Sequence, residues 1–323
     1  MQIPKKIAIT IGDPAGIGPE IVLKSLLSRE VSLICKPVII GAPSVIREAA
    51  EKLKIPFDLA TCDILHPGEI RDRTFAKGKA TAEGGSDSIA YIKKAAELAM
   101  LKVVDAIVTA PINKEALKLA GCKWPGHTEM LAEISGTKDF AMVLCGGPIK
   151  VILVTIHTAL KNVPGLVARK NVLKTIIMAN KTCTLMGLNK PRIAVAGLNP
   201  HAGEAGIFGR EEIDEIIPAV MEAQDMGIPV SGPYPPDALF HKVYNGEFDI
   251  AVCMYHDQGL IPLKMIAMET GVNMTVGLPF IRTSPDHGTA YDIAWKGTAN
   301  PSSMIEAIKM AVQLGGRRQN ETL

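Results

Sequence analysis

Three histidines follow three apolar segments in the same way. His157 comes after VILVTI, His201 after IAVAGLNP and His256 after IAVCMY. Each segment reads as a β-strand, so each imidazole stands just beyond a strand's carboxyl end. That edge is where open α/β sheets bind ligands. One such histidine is ordinarily a surface or loop residue, but three in matching positions predict a shared task. Three neutral imidazoles suit a divalent transition metal such as Zn²⁺, Co²⁺ or Mn²⁺ and leave coordination positions open for a substrate. Imidazole ligands need a carboxylate to orient them. Asp257, next to His256, and Asp237, in the turn-like Pro-Tyr-Pro-Pro-Asp, are the candidates. Asp237 reads equally well as a helix N-cap.

The elements that must carry these residues alternate. Short β-rich runs are expected at 6–12, 37–41, 105–109, 141–145, 150–155, 192–197, 249–254 and 273–277. Several are continuous apolar runs, as a parallel sheet buried on both faces requires. Helical patterns lie between them, for example at 87–101, 166–186 and 210–226. The alternation predicts an α/β fold with right-handed crossovers. The segment GDPAGIGPE, from Gly12 to Glu20, follows the first strand and opens a helix. It is not GxGxxG, and no acidic residue follows at the end of a second strand. A tight turn serving geometry alone is the preferred reading.

Composition narrows the function. The chain has 323 residues, enough for two domains or for one two-lobed unit with a cleft. Hydrophobic residues make up 47%, so a large core is available. The formal net charge is +2 with no long basic tract, which argues against a nucleic-acid partner. The apolar run at 7–12 is too short for a signal-peptide core, and no stretch of the chain reaches the length of a membrane span. Six scattered cysteines without a CxxC pair read as free thiols of a reducing cytoplasm.

GDPAGIGPE, VTAPINKEAL (108–117), GHTEML (126–131), GLNPHAGE (197–204), YHDQGLIPLK (255–264) and GLPFIRTSPDHGTAYDIAWKG (277–297) together carry a resemblance that runs in order from about residue 5 to 315. The chain resembles the 4-hydroxythreonine-4-phosphate dehydrogenase family of pyridoxal-phosphate biosynthesis. The resemblance implies the isocitrate/isopropylmalate dehydrogenase-like fold, two-lobed α/β/α with a mostly parallel sheet. It implies interleaved lobes, 1–128 with 257–323 and 129–256. It also implies a homodimer with active sites at the subunit interface. His157, His201 and His256 fall on the family's metal ligands, for one ion of Zn, Co, Mn or Mg. His127, Thr128, Lys264, Asn273 and Arg282 fall on its substrate contacts. Those residue types suit an anion. Arg282 and Lys264 neutralise phosphate or carboxylate, and His127 and Thr128 precede a helix expected from Glu129, whose first N–H groups attract negative charge.

The segment from Asp286 to Asn300 also resembles the adenosine-binding loop of the wider group, with His287, Gly288, Asp292 and Asn300 at cofactor positions. NADP enzymes there carry Lys-Tyr where this chain has Asp292-Ile293. A carboxylate accepts hydrogen bonds from a ribose 2′-OH and repels a 2′-phosphate, so the resemblance implies NAD. Asp292 reads alternatively as the cap of a short helix. The implied reaction is oxidation of 4-phosphooxy-L-threonine followed by decarboxylation to 3-amino-2-oxopropyl phosphate. The base stays open between Lys264, Asp257 through water, and hydroxide on the metal. Related sequences act instead on 4-phospho-D-threonate or 4-phospho-D-erythronate with the same motifs. A metal-dependent phospho-ligand binding protein without turnover is the alternative from another class.

Overall fold

The run KKIAIT forms β1 (Lys5–Thr10), two half-buried lysines followed by four buried residues. A strand covered on both faces has no solvent side, so its apolar residues run on without alternation. The same rule shapes β2 (Cys35–Ile40) and β4 (Ala106–Thr109). β3 (Asp63–Leu65) is only three residues long and partly exposed. The computed structural model describes residues 4–67 and 76–320. Further along the chain come β5 (Ala141–Gly146), β6 (Ile149–Leu153), β7 (Ile193–Ala196), β8 (Val230–Tyr234), β9 (Ile250–Cys253), β10 (Val272–Val276) and β11 (Ile281–Pro285).

The chain folds as two units, Met1–Asp139 with Leu278–Leu323, and Phe140–Gly277. They differ from the lobes expected at 1–128 with 257–323 and at 129–256. The helix His127–Ile134 packs on the helix Ala82–Met100 of the first unit. The helix His256–Ala267 packs on β6 and β5 of the second. Each helix stays with the surface it buries against.

In the first unit the strands run β3-β2-β1-β4-β11, and every pair is parallel. The helices Ala82–Met100 and Ser302–Asn320 pack on this sheet. In the second unit the order is β10-β5-β6-β9-β7-β8. There β6, β9, β7 and β8 are mutually parallel, while β5 runs antiparallel to both β6 and β10. The mostly parallel α/β architecture expected from the sequence is present, with one reversed strand.

All eight expected strands form. Three more were not expected. β3 is too short to show a pattern. β8, Val-Ser-Gly-Pro-Tyr, carries two strand breakers and lies at an edge, where they are tolerated. β11, Ile-Arg-Thr-Ser-Pro, is polar yet wholly buried. The helix expected at 87–101 starts earlier, at Ala82, capped by the Thr81 hydroxyl accepting from Gly84 N–H at 3.0 Å. Gly84 and Gly85 look like breakers, but Gly85 is a contact. A Cβ there would lie 2.0 Å from the Ala116 carbonyl oxygen, so only glycine lets the helix Lys114–Leu119 approach. The pattern at 210–226 splits into a π-helical turn, Glu212–Ile216, and an α-helix, Ile217–Asp225. Pro218 sits at the start of the second piece, directly after the π-helical turn.

Candidate active site

In the first unit the chemistry gathers around Arg282. It lies on β11, only 2% exposed, and reaches the end of neighbouring β4. Its Nη2 and Nε donate to the Thr109 hydroxyl at 2.8 and 3.2 Å. Burial brings the guanidinium pKa down to about 9, while nearby Glu129 opposes the shift. His127 is the first residue of the helix His127–Ile134, two residues earlier than expected, and Thr128 beside it is buried. Burial and, after it, the charge of Arg282 hold the His127 imidazole well below its ordinary value, so it is neutral. Its Nε2 is sealed from solvent and has no hydrogen-bond partner among the described residues. A buried polar atom left unmatched beside an arginine and a helix N-terminus is an arrangement that an anionic ligand would complete.

The glycine-rich turn packs closely within its own unit. Gly12 has φ +68°, and a Cβ on it would lie 2.2 Å from the Pro111 oxygen; one on Gly18 would lie 2.0 Å from the Ile11 oxygen. The turn therefore presses against its own unit. Its residues grip the loop from 289 to 299. Asp13 accepts from the Tyr291 hydroxyl at 2.6 Å and from Ala15 N–H at 2.8 Å. The Trp295 indole donates to the Pro14 oxygen at 3.0 Å, and Ile17 N–H to the Thr289 oxygen at 3.0 Å. Glu20, 1% exposed, accepts from Ala299 N–H at 2.9 Å and pairs with Lys24 at 2.7 Å.

The predicted cofactor residues lie on or beside this gripped loop. Asp292 is exposed within a run of turns, so the short helix that it was alternatively read to cap does not form. His287 Nδ1 lies 3.1 Å from the Gly288 oxygen. The Asn300 side chain accepts from Ser302 N–H at 2.9 Å and from its hydroxyl at 2.7 Å, capping the helix Ser302–Asn320. Lys77 stands 3.7 Å from the centre of the Trp295 ring and pairs with Glu48 at 2.7 Å. Cations therefore reach this loop from distant sequence, in addition to Lys296 within it.

In the second unit His157 and His256 come together, with ring centres 5.8 Å apart. Both line a cleft of about 370 Å³ with Ile156, Tyr255 and Asp257. Asp257 Oδ1 lies 2.7 Å from His256 Nδ1, which leaves Nε2 as the ring's outward nitrogen. This is the carboxylate–imidazole pairing that orients a metal ligand. His201 sits apart in its own loop, its ring 6.1 Å from Phe208. Among the described residues no three of His, Cys, Asp and Glu form a metal-binding group. The donor chemistry thus fits a divalent ion at two histidines, with further ligands still to be supplied. Asp237 is exposed in the first turn of the helix Pro236–Tyr244, whose N-cap is Pro235, so it does not act as the cap. Lys264 lies in the last turn of the helix His256–Ala267. Asn273 lies on β10, its Oδ1 buried without a hydrogen-bond partner among the described residues.

The family model of pyridoxal phosphate biosynthetic protein PdxA matches residues 33–311. The chain belongs to the PdxA family. It is 48% identical over 319 residues to a 4-hydroxythreonine-4-phosphate dehydrogenase of Desulforapulum autotrophicum, covering 94% of each chain. It is 46% identical over 324 residues to a D-threonate 4-phosphate dehydrogenase of Pectobacterium atrosepticum, covering 96% of this chain and 99% of that one. The crystal structure of 4-hydroxythreonine-4-phosphate dehydrogenase from Klebsiella pneumoniae superposes with a TM-score of 0.89 at 42% identity, covering 97% and 98% of the two chains. At the level of fold alone, isocitrate dehydrogenase from Methylococcus capsulatus is similar, with a TM-score of 0.50 at 16% identity. The protein is therefore a dehydrogenase of the PdxA family with the isocitrate dehydrogenase-like fold.

In this PdxA-family chain the structure brings His127, Thr128 and Arg282 together in one unit, and His157, His256 and Asp257 in the other. Residues that sequence reasoning missed are the ones that hold these in place. Thr109 carries Arg282, while Asp13 and Glu20 carry the loop of Asp292. Glu212 and Gln258 carry the loop of His201. Each is a polar residue whose burial no local pattern reveals. The one available signal was a carboxylate or amide next to a glycine-rich turn.

Proposed function

We propose that the protein oxidises 4-phosphooxy-L-threonine with NAD and one divalent metal ion, and that the product loses CO₂ to give 3-amino-2-oxopropyl phosphate, a step of pyridoxal 5′-phosphate formation. The observation that carries this reading is the neutral His127, with its unmatched buried Nε2, beside the 2%-exposed Arg282. A phosphorylated acid supplies the missing anion. The family and the names of its relatives support the oxidation.

Arg282, His127 and Thr128 bind the anionic end, with Lys264 and Asn273 as further contacts. His157, His201 and His256 hold the metal, and Asp257 orients His256. An ion held by these histidines would supply Lewis acidity, lowering the pKa of the substrate hydroxyl and polarising the carbonyl formed from it. The hydroxyl proton would leave to a base, and a nicotinamide bound at the loop of Asp292 would accept the hydride from the same carbon. The bond to the carboxylate then breaks, its electron pair stays on the neighbouring carbon as an enolate, and a proton closes that carbon. Asp292, exposed on a loop held by Asp13 and Glu20, would accept from the ribose of NAD, with His287, Gly288 and Asn300 as further contacts. Cytoplasmic residence accords with six free cysteines, four of them buried.

The active form we propose is a homodimer with sites at the subunit interface. The helix that begins with His256 exposes Ile261 at 60% and Met265 at 81%, followed by Met268 at 68%. The His201 loop adds Ile207 and Phe208, both exposed. A second copy covering these residues would border the imidazoles and bring further ligands to them.

A second reading has its own support. Relatives named D-threonate 4-phosphate dehydrogenase are 44–46% identical, close to the 44–48% of those named 4-hydroxythreonine-4-phosphate dehydrogenase. The two substrates, and 4-phospho-D-erythronate with them, share the phosphate and the oxidised carbon. The test of the site is metal content. Single alanine variants of His157, His201 and His256 should lose the ion and NADH formation while keeping the fold. Full metal content in all three would remove the assignment.

A further inference from the structure

His201 occupies the least favourable backbone in the second unit. Residues His201, Ala202, Gly203, Glu204 and Ala205 all have positive φ, from 43° to 83°. A left-handed turn of L-residues is sterically unfavourable, and it persists only when the surroundings over-determine it. The surroundings here centre on Glu212. This carboxylate is 1% exposed and opens the π-helical turn Glu212–Ile216. Its Oε1 accepts from Leu198 N–H and Asn199 N–H, both at 2.7 Å, and its Oε2 accepts from the Asn199 side chain at 2.9 Å. Gly203, inside the left-handed turn, lies so close that a Cβ would stand 2.7 Å from Oε2. Gln258 adds a second tie. Its amide donates to the Gly197 oxygen at 2.7 Å and accepts from Met254 N–H at 2.7 Å. Gln258 lies two residues after His256, so one side chain joins the start of the His256 helix to the start of the His201 loop.

We propose that Glu212 is a positioning residue for the metal site: it fixes the strained loop that presents His201, and Gln258 ties that loop to His256. The inference rests on the reading of His201 as a metal ligand. A π-turn at this place is consistent with it, because such turns are frequent at functional sites. A buried carboxylate accepting three N–H donors is also the group best able to hold a backbone against its own preference.

The test is Zn²⁺ affinity of the full-length protein, measured by competition with a chromophoric chelator, for Glu212→Gln, Asn199→Ala, His201→Ala and Glu222→Gln. Glu222 pairs with Arg169 at 2.7 Å on the adjoining helix and serves as the control. We expect Glu212→Gln and Asn199→Ala to bind Zn²⁺ on the order of 10- to 100-fold more weakly, the effect of losing a group that orients a ligand. Glu222→Gln should match the unaltered protein. Excess metal should restore turnover in Glu212→Gln, which a general loss of structure would not allow. Unaltered affinity in both Glu212→Gln and Asn199→Ala, with affinity lost in His201→Ala, overturns the role of Glu212. If Glu212→Gln does not fold, Asn199→Ala decides alone, because it leaves both backbone contacts of Glu212 in place. Unaltered affinity in His201→Ala overturns the metal reading beneath it.

Discussion

His127 shows how burial sets chemistry at the scale of one residue. The folded protein resists its protonation, whereas an exposed histidine protonates near 6.5. The sign follows directly. Above that value both states are neutral. Below it the unfolded chain gains a proton that the folded protein refuses, so stability falls as pH drops towards the folded value. In His127→Gln the denaturant midpoint should therefore fall less steeply between about pH 7 and pH 5, the range in which histidine titrates. An equal slope in both proteins would show that His127 is not held neutral. Arg282 gives the second prediction. Arg282→Ala should raise KM for the phosphorylated substrate about 10- to 150-fold, the effect of about 1.5–3 kcal/mol for a charge-assisted contact, and leave KM for NAD nearly unchanged. Equal losses would assign Arg282 to the fold. The histidines were legible at this scale because their types and their places after strands declare them. Thr109 and Glu212 were not, since nothing local distinguishes a buried polar residue from an exposed one.

At the scale of elements, the turn from Gly12 to Glu20 and the loop from 289 to 299 work as one piece. The turn was legible as a turn, and its departure from GxGxxG suited a turn that serves geometry. What it grips was not legible, because the partner lies more than 270 residues away in the chain. Tyr291→Phe removes the hydroxyl that donates to Asp13 Oδ2, a carboxyl whose pKa burial already raises. The loss should cost about 1–3 kcal/mol of stability. Under the proposed function it should also raise KM for NAD several-fold, with KM for the phosphorylated substrate unchanged. Substrate and cofactor moving together would mean that the loop does not carry the adenosine. Strands followed the same rule of legibility. Those that are apolar and buried were visible, whereas β11 was hidden because a strand that lines a site keeps Arg282, Thr283 and Ser284 in its interior.

At the scale of the molecule, the apolar stripe of Ile261, Met265 and Met268 is left exposed among the described residues. Soluble proteins seldom leave such a stripe uncovered unless something binds there. Met265→Glu should convert the proposed homodimer to a monomer in sedimentation and abolish turnover, while leaving the circular dichroism spectrum intact. A monomer with full activity would contradict an active site shared between copies. The central claim is an oxidation coupled to decarboxylation, and one measurement addresses it directly. Metal-reconstituted protein is given NAD with 4-phosphooxy-L-threonine, 4-phospho-D-threonate or 4-phospho-D-erythronate, and NADH and CO₂ are counted together. The account predicts equal amounts of both from 4-phosphooxy-L-threonine, none after chelation, and recovery when the divalent ion is returned. NADH from none of the three acids, in protein that holds its metal, would contradict it.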